Sequence, residues 1–330
     1  MSESIVSIRN LATHYPITGG WFGPTPVVRA LDNIDLEIKR GQFFGLVGES
    51  GSGKTTLGRA ILKAAPISEG KIIFHDGKKE FDINTLAKQD VLAFRRQAQL
   101  IFQDPYAALS PRMTVRDIIA EPLEVMKLTN SKDETNQRVR EIASECRLNV
   151  EHLRRFPHAF SGGQRQRISI ARALVANPSF MVADECVAAL DVSIQADILN
   201  LLKSLQQQRG LTFLFISHDL SVVAHVCDVV AVLYLGRLVE MAPTRKLFAK
   251  QRHPYTAALL SAIPSLDLDH HHKAIKLEGE IPSSIAPPSG CRFHTRCAYA
   301  QDRCKMEIPQ WRKLDDDHSV ACHFADELDL

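Results

Sequence analysis

From Gly48 to Thr56 the chain reads Gly-Glu-Ser-Gly-Ser-Gly-Lys-Thr-Thr. This is the pattern G-x-x-x-x-G-K-[ST], directly after an apolar run and directly before a helical pattern, the setting in which it holds phosphate. Gly48, Gly51 and Gly53 let the backbone turn, so that the N–H groups of Glu49, Ser50, Ser52 and their neighbours face one concavity. The start of a helix adds partial positive charge, Lys54 reaches toward β- and γ-phosphates, and the Thr55 hydroxyl can ligate Mg²⁺, with Thr56 following. A nucleoside triphosphate is the expected ligand.

Phe180-Met-Val-Ala-Asp184-Glu185 is an apolar run ending in two carboxylates. At a strand end Asp184 is placed to hold Mg²⁺ through water and Glu185 to polarise an attacking water, the chemistry of phosphoryl transfer. Taken alone, such a run is usually a solvated strand end. His218, after a further apolar run from Phe213 to Ile216, supplies a partner placed to contact a γ-phosphate. Ser161-Gly162-Gly163-Gln164-Arg165 then opens a helix, with Ser161 as N-cap and two glycines baring backbone N–H groups. That is a second anion site in a chain with one lysine-bearing loop, as though it served the nucleotide of another molecule.

Of seven cysteines, Cys291, Cys297, Cys304 and Cys322 crowd into the last 40 residues as C-x5-C-x6-C-x17-C. Zinc ligands usually come in pairs two to four residues apart, so this spacing argues against an ordinary zinc ribbon. Four thiolates suit an iron–sulfur cluster, with zinc and unligated thiols as alternatives. His270-His-His272 reads as a solvated loop.

The elements that must position these residues follow from periodicity. The first 40 residues alternate apolar and polar positions, as in Ile5 to Arg9 and Leu31 to Ile38, the pattern of half-buried antiparallel strands. Gly19, Gly20, Gly23, Pro24 and Pro26 mark a loop between them. Phe43 to Val47 reads as a fully buried strand and Leu57 to Ala65 as a helix. With the runs 180–183 and 213–216, these predict a parallel core sheet packed between helices. Asp90 to Arg165 reads as a helical insertion. Near Pro264 the composition shifts to Asp and His, then Pro and Gly, then the cysteines, which places a boundary there.

The chain has 330 residues, 45% of them hydrophobic and 24% charged, and a formal net charge of +2. These values fit an ordinary globular protein and give no broad basic face, so nucleic acid is not an expected partner. Met1-Ser-Glu-Ser-Ile-Val lacks the basic and apolar stretches of a signal peptide. No apolar run approaches the roughly 18–20 residues that span a bilayer. A cytosolic protein is expected, one whose membrane-spanning helices, if it works at a membrane, come from partners.

Taken together, Gly48 to Thr55, Ser161-Gly-Gly-Gln-Arg, Asp184-Glu185 and His218 resemble the nucleotide-binding subunits of ABC transporters over about residues 5–260. The resemblance implies an α/β fold, the P-loop NTPase ABC cassette. It has a RecA-like parallel core, an antiparallel β subdomain and a helical subdomain at about 90–165, here within an ATPase domain over 1–263. It also implies that two subunits face head to tail, so that Ser161, Gly162, Gly163 and Gln164 act in trans on ATP held by the partner. By the same match Tyr15 resembles the residue that stacks on adenine, Gln103 the residue that senses Mg²⁺ and the membrane subunit, and Asp191 the acidic residue of the loop linking the two sites.

Gln103-Asp-Pro-Tyr to Arg112, Arg252-His-Pro-Tyr to Leu260 and the tail from Gly279 to Cys297 look like the oligopeptide/dipeptide importer subgroup, particularly its dipeptide-type second ATPase. That resemblance implies a small Cys-rich C-terminal extension over 264–330 carrying a [4Fe–4S] centre. It implies peptide cargo, with nickel or glutathione as alternatives and export as a more distant one. The implied partners are a second, paralogous ATPase, two transmembrane permeases and a periplasmic solute-binding protein, at the cytoplasmic face of the inner membrane. One departure stands in a sensitive place. The subgroup usually has Asp-Glu-Pro-x-Ser-Ala-Leu-Asp where this chain has Asp184-Glu-Cys-Val-Ala-Ala-Leu-Asp191. Cys186 gives up a fixed φ and Ala188 a hydroxyl, with both carboxylates kept.

Overall fold

A computed structural model of the protein describes residues 4–17, 26–77, 79–263 and 275–330. Gly19, Gly20, Gly23, Pro24, the boundary at Pro264 and His270 to His272 lie outside the described residues. Two compact units emerge. One comprises residues 39–42 and 74–215 with the first residues of the chain; the other comprises residues 6–38, 43–73 and 216–330.

In the second unit, the long strands Ser4–Pro16 and Val27–Lys39 pair side by side, with Glu69–His75 on the other edge of Ser4–Pro16. Their alternation expresses itself as alternating burial, Ile34, Leu36 and Ile38 facing inward. Phe43–Val47 is buried at every position and runs parallel to Val229–Tyr234, with Gly45 opposite Val230. Buried on both faces, these strands need no alternation, which is why both read as continuous apolar runs. Val229–Tyr234 turns back into the antiparallel Arg237–Pro243 through Leu235 and Gly236, both at positive φ, 45° and 80°. Two left-handed residues in succession match the twist of a tight hairpin. The C-terminal segment adds Ser319–Val320 to the edge of Arg237–Pro243 and Arg312–Lys313 beyond it.

The helix expected at Leu57 to Ala65 occupies Lys54–Ile61, starting and ending earlier. It begins at Lys54 because Gly53 takes the left-handed N-cap position. It stops because Lys63 adopts φ 55° and Ala64 N–H bonds back to Arg59 O at 2.7 Å, a left-handed helix end.

In the first unit the strands run Thr212–Ile216, Phe180–Asp184, Ala98–Ile101, the last two parallel with Ile101 opposite Ala183. Residues 90–165 thus carry a strand besides their helices Val91–Gln97, Pro105–Ala108, Val115–Val125 and Lys132–Glu145. Thr114 and Ser131 cap the last two by accepting from Asp117 N–H and Glu134 N–H. Val115–Val125 packs on Gly162–Leu174, where Arg172 pairs with Glu121 at 2.7 Å. Phe74, Phe81, Phe94 and Phe180 form a buried aromatic cluster with centroids 5.4–6.3 Å apart. Among the described residues no helix is long and apolar enough to cross a membrane.

Candidate functional site

The phosphate loop lies in the second unit, between the buried strand Phe43–Val47 and the helix Lys54–Ile61. Gly48 and Gly53 are dictated by crowding as well as by φ, whereas Gly51, at φ 77°, is required by φ alone. A Cβ on Gly48, at φ 150°, would stand 2.1 Å from Leu233 O, and one on Gly53, at φ 107°, would stand 2.4 Å from Ala30 O. Lys54 is buried at 5% exposure, its ammonium donating to Gly48 O at 2.7 Å and Glu49 O at 2.9 Å, so the charge sits in the mouth of the loop. Ser52 is buried beside it with a hydroxyl that has no protein hydrogen-bond partner. A buried unpaired hydroxyl next to a buried ammonium is a cradle suited to an anion.

In the first unit, register sets up the carboxylate end. Since Ile101 faces Ala183 in parallel strands, the residues two steps onward fall side by side, and Gln103 Nε2 donates to Glu185 Oε2 at 2.8 Å. Asp184 is buried at the end of its strand, and Glu185 holds the left-handed φ of 47°. The turn that follows closes on itself by Ala188 N–H to Glu185 O at 3.1 Å and Leu190 N–H to Val187 O at 3.2 Å. Burial pushes the Cys186 thiol up to about 12 and keeps it neutral. Asp191 N-caps the helix Val192–Arg209 through its backbone carbonyl, which accepts from Gln195 N–H at 2.8 Å.

Ser161 heads the helix Gly162–Leu174 in a reciprocal cap. Ser161 Oγ accepts from Gln164 N–H, and Gln164 Oε1 accepts from Ser161 N–H at 3.0 Å. A Cβ on Gly163 would meet Ile194 Cγ2 at 2.5 Å, so only glycine lets this helix start approach the Val192–Arg209 helix. Ser161 and Gln164 remain exposed, leaving an open N-terminus with its positive dipole end. The neighbouring Arg165 stacks its guanidinium 3.9 Å from the Tyr106 ring centroid and donates to Pro157 O at 2.8 Å. His218 is exposed just beyond the strand Thr212–Ile216, and Tyr15 is half-buried near the end of the strand Ser4–Pro16.

Cys291, Cys297, Cys304 and Cys322 are free thiols lining one small cavity with Phe293, Tyr299 and Phe324. Burial pushes Cys291 up to about 12 and Cys322 up to about 11, and raises Cys297 as well. Among the described residues no group of three or more His, Cys, Asp or Glu side chains is arranged to hold a metal ion.

Sequence reasoning missed the residues that surround the phosphate loop. Tyr255, Arg292 and Arg296 all reach it or its supports. Their segments, Arg252 to Leu260 and the tail to Cys297, carry the subgroup resemblance, but nothing in them says what these three side chains touch, since an arginine's partner is invisible until the chain has folded.

Residues 31–188 match the family model "ABC transporter", and residues 239–304 match "Oligopeptide/dipeptide transporter, C-terminal region". A putative peptide import ATP-binding protein of Brucella ovis is 49% identical over 98% of both chains. The chain belongs to the ABC transporter ATP-binding proteins. A di/tripeptide transport ATP-binding protein of Pseudomonas aeruginosa is 43% identical over 99% of both chains. Among solved structures, the dimeric ATP-binding cassette MJ0796 bound to ADP and Pi matches with a TM-score of 0.63 at 29% identity, covering 73% of this chain and 99% of its own. The resemblance drawn from the motifs is thus borne out, as is the cassette fold. As an ABC ATPase the chain takes ATP as its substrate. The first family match spans the phosphate loop, Ser161 to Gln164 and Asp184-Glu185, and the second takes in Cys291, Cys297 and Cys304.

Proposed function

We propose that the chain is one of two ATPases that drive uptake of di- or oligopeptides through a binding-protein-dependent importer. The observation that carries the chemistry is the phosphate loop, with the Lys54 ammonium and the unpaired Ser52 hydroxyl buried together beside Gly48 and Gly53, where no side chain fits. The full-length likeness to peptide import proteins supports the cargo.

Gly48 to Thr56 grip the phosphates and Tyr15 stacks on adenine. Thr55, Gln103 and Asp184 offer hydroxyl, amide and carboxylate oxygens, the donor set of a hard cation such as Mg²⁺, which when bound neutralises charge between the β- and γ-phosphates. Glu185 is the general base and Gln103, which donates to it, holds it in place until nucleotide arrives. His218 contacts the γ-phosphate. Ser161 to Gln164 serve the nucleotide of a second, paralogous ATPase, and Asp191 links the two sites. Two permeases and a periplasmic binding protein complete the assembly at the cytoplasmic face of the inner membrane. The four cysteines line one small cavity, and the likeness of the tail to the oligopeptide/dipeptide transporter C-terminal region supports reading them as the thiolates that would hold a [4Fe–4S] cluster.

The test is reconstitution of the assembled complex in vesicles with Glu185→Gln beside the parent. The parent should take up a radiolabelled dipeptide only with ATP, and the variant should bind ATP while turnover falls by about 10²-fold or more. Undiminished ATPase activity in Glu185→Gln would remove Glu185 from its role. ATP hydrolysis without peptide uptake would remove the cargo.

A further inference from the structure

Side chains from the C-terminal part of the second unit close on the phosphate loop. Arg296 sends Nη1 to Glu49 Oε2 at 2.7 Å and Nη2 to Glu49 Oε1 at 3.1 Å, a two-pronged ion pair in which the arginine side chain is only 6% exposed. The Tyr255 hydroxyl, buried against Tyr234 and Phe293, accepts the Glu49 backbone N–H at 2.9 Å. Arg292 is equally buried and donates to Leu235 O and to Asp32. Leu235 is the strained first residue of its hairpin turn, and the next residue, Gly236, donates its N–H to Ser52 O at 2.8 Å.

The loop is therefore gripped at two places. Glu49 is held directly, by side chain and by backbone, and Ser52 is held through the Leu235–Gly236 turn. Both are free positions of the phosphate pattern, so the pattern itself does not call for either grip. The geometry matters because a loop that must order itself around phosphate spends binding energy on the ordering, whereas one already ordered does not. Charge-assisted, two-pronged bonds from a nearly buried arginine are the strongest non-covalent way to fix such a segment.

We propose that Arg296 and Arg292 are positioning residues for the nucleotide, holding the phosphate loop through Glu49 and Ser52, so that the C-terminal segment sets the affinity for ATP. This rests on reading Gly48 to Thr56 as the ATP-binding loop. Neither arginine needs to touch the nucleotide.

The test uses the full-length chain with Mg²⁺-ATP titrated by calorimetry, and the assembled complex for steady-state rates. Arg296→Ala should weaken ATP binding and raise the KM for ATP about tenfold, with kcat at saturation within about twofold of the parent. Glu49→Gln should likewise weaken ATP binding, Arg296→Lys should recover part of the loss, and the Arg296→Ala/Glu49→Gln pair should bind ATP no worse than the poorer single variant. A lower Tm with unchanged KM would mean that the arginine merely supports the fold, and would overturn the proposal. Additive losses in the double variant would overturn it as well. If Arg296→Ala does not fold, Glu49→Gln carries the measurement, since it preserves size at a side chain 25% exposed. Lys54→Ala is the control for the underlying reading. Unchanged ATP affinity in that variant would sink the loop assignment itself, whereas lost affinity there beside a normal Arg296→Ala would sink only the present inference.

Discussion

At the scale of single residues, Glu185 stands where register puts it and in a conformation that resists it. A non-glycine residue at φ 47° carries a cost of order 1–2 kcal/mol, which the surrounding turn and the Gln103 bond must hold. The residue after it is where the chain departs from the subgroup. Cys186 is 2% exposed with its thiol neutral, so it packs as a small hydrophobe and brings no new charge to the carboxylates. Hydrolysis is therefore expected to survive the departure. In the assembled complex, Cys186→Pro/Ala188→Ser should change the ATPase rate by less than about tenfold. An inactive parent restored by the pair would show that the departure had silenced the site.

At the scale of elements, two helix starts matter. The reciprocal cap at Ser161 satisfies the first orphan N–H groups of the helix Gly162–Leu174. Ser161→Ala should cost about 1 kcal/mol of stability by thermal melting. On the proposal that this helix start serves a partner's nucleotide, Ser161→Ala should also depress ATPase activity of the complex while leaving ATP binding by the isolated chain intact. The other start is His253, which accepts Tyr255 N–H at 3.1 Å on Nδ1 and caps the helix Pro254–Ser261. Burial lowers its folded pKa to about 3, against 6.5 when unfolded. Between those values the unfolded chain binds the extra proton, so stability is fully present above pH 6.5. It should fall as pH drops toward 3, by about 1.4 kcal/mol per pH unit from this group. His253→Asn melting curves across that range should show a shallower dependence. Much at this scale was legible in the sequence. Phe43–Val47 and the run from Phe213 to Ile216 announce themselves because strand segments buried on both faces read as unbroken apolar runs. Ala98–Ile101 does not, since Gln99 and the Arg95-Arg96-Gln97 run before it keep a helical pattern, and only pairing with Phe180–Asp184 makes it a strand. The loop chemistry of Lys54 and Thr55 was likewise legible, because its residues are consecutive. The Gln103–Glu185 bond was not, because it depends on which strands become neighbours.

At the scale of the whole molecule, the cysteines link the tail to the question of cofactor. The full chain purified without oxygen should carry about four iron and four sulfide per chain if the cavity holds a cluster. Absence of both would leave zinc or bare thiols, which metal analysis of the same sample separates. The two tail arginines belong to the same stretch, each beside a cysteine, Cys291-Arg292 and Arg296-Cys297. Glu49 and Arg296 stand 247 positions apart in the chain. A ribosome adding roughly 5–20 residues per second releases the first long before the second. On the growing chain, then, the loop that meets ATP exists for many seconds without the residue that steadies it, and its grip on nucleotide matures only when the segment carrying Arg296 arrives. ATP affinity becomes a property acquired late in synthesis, long after the loop itself has been made.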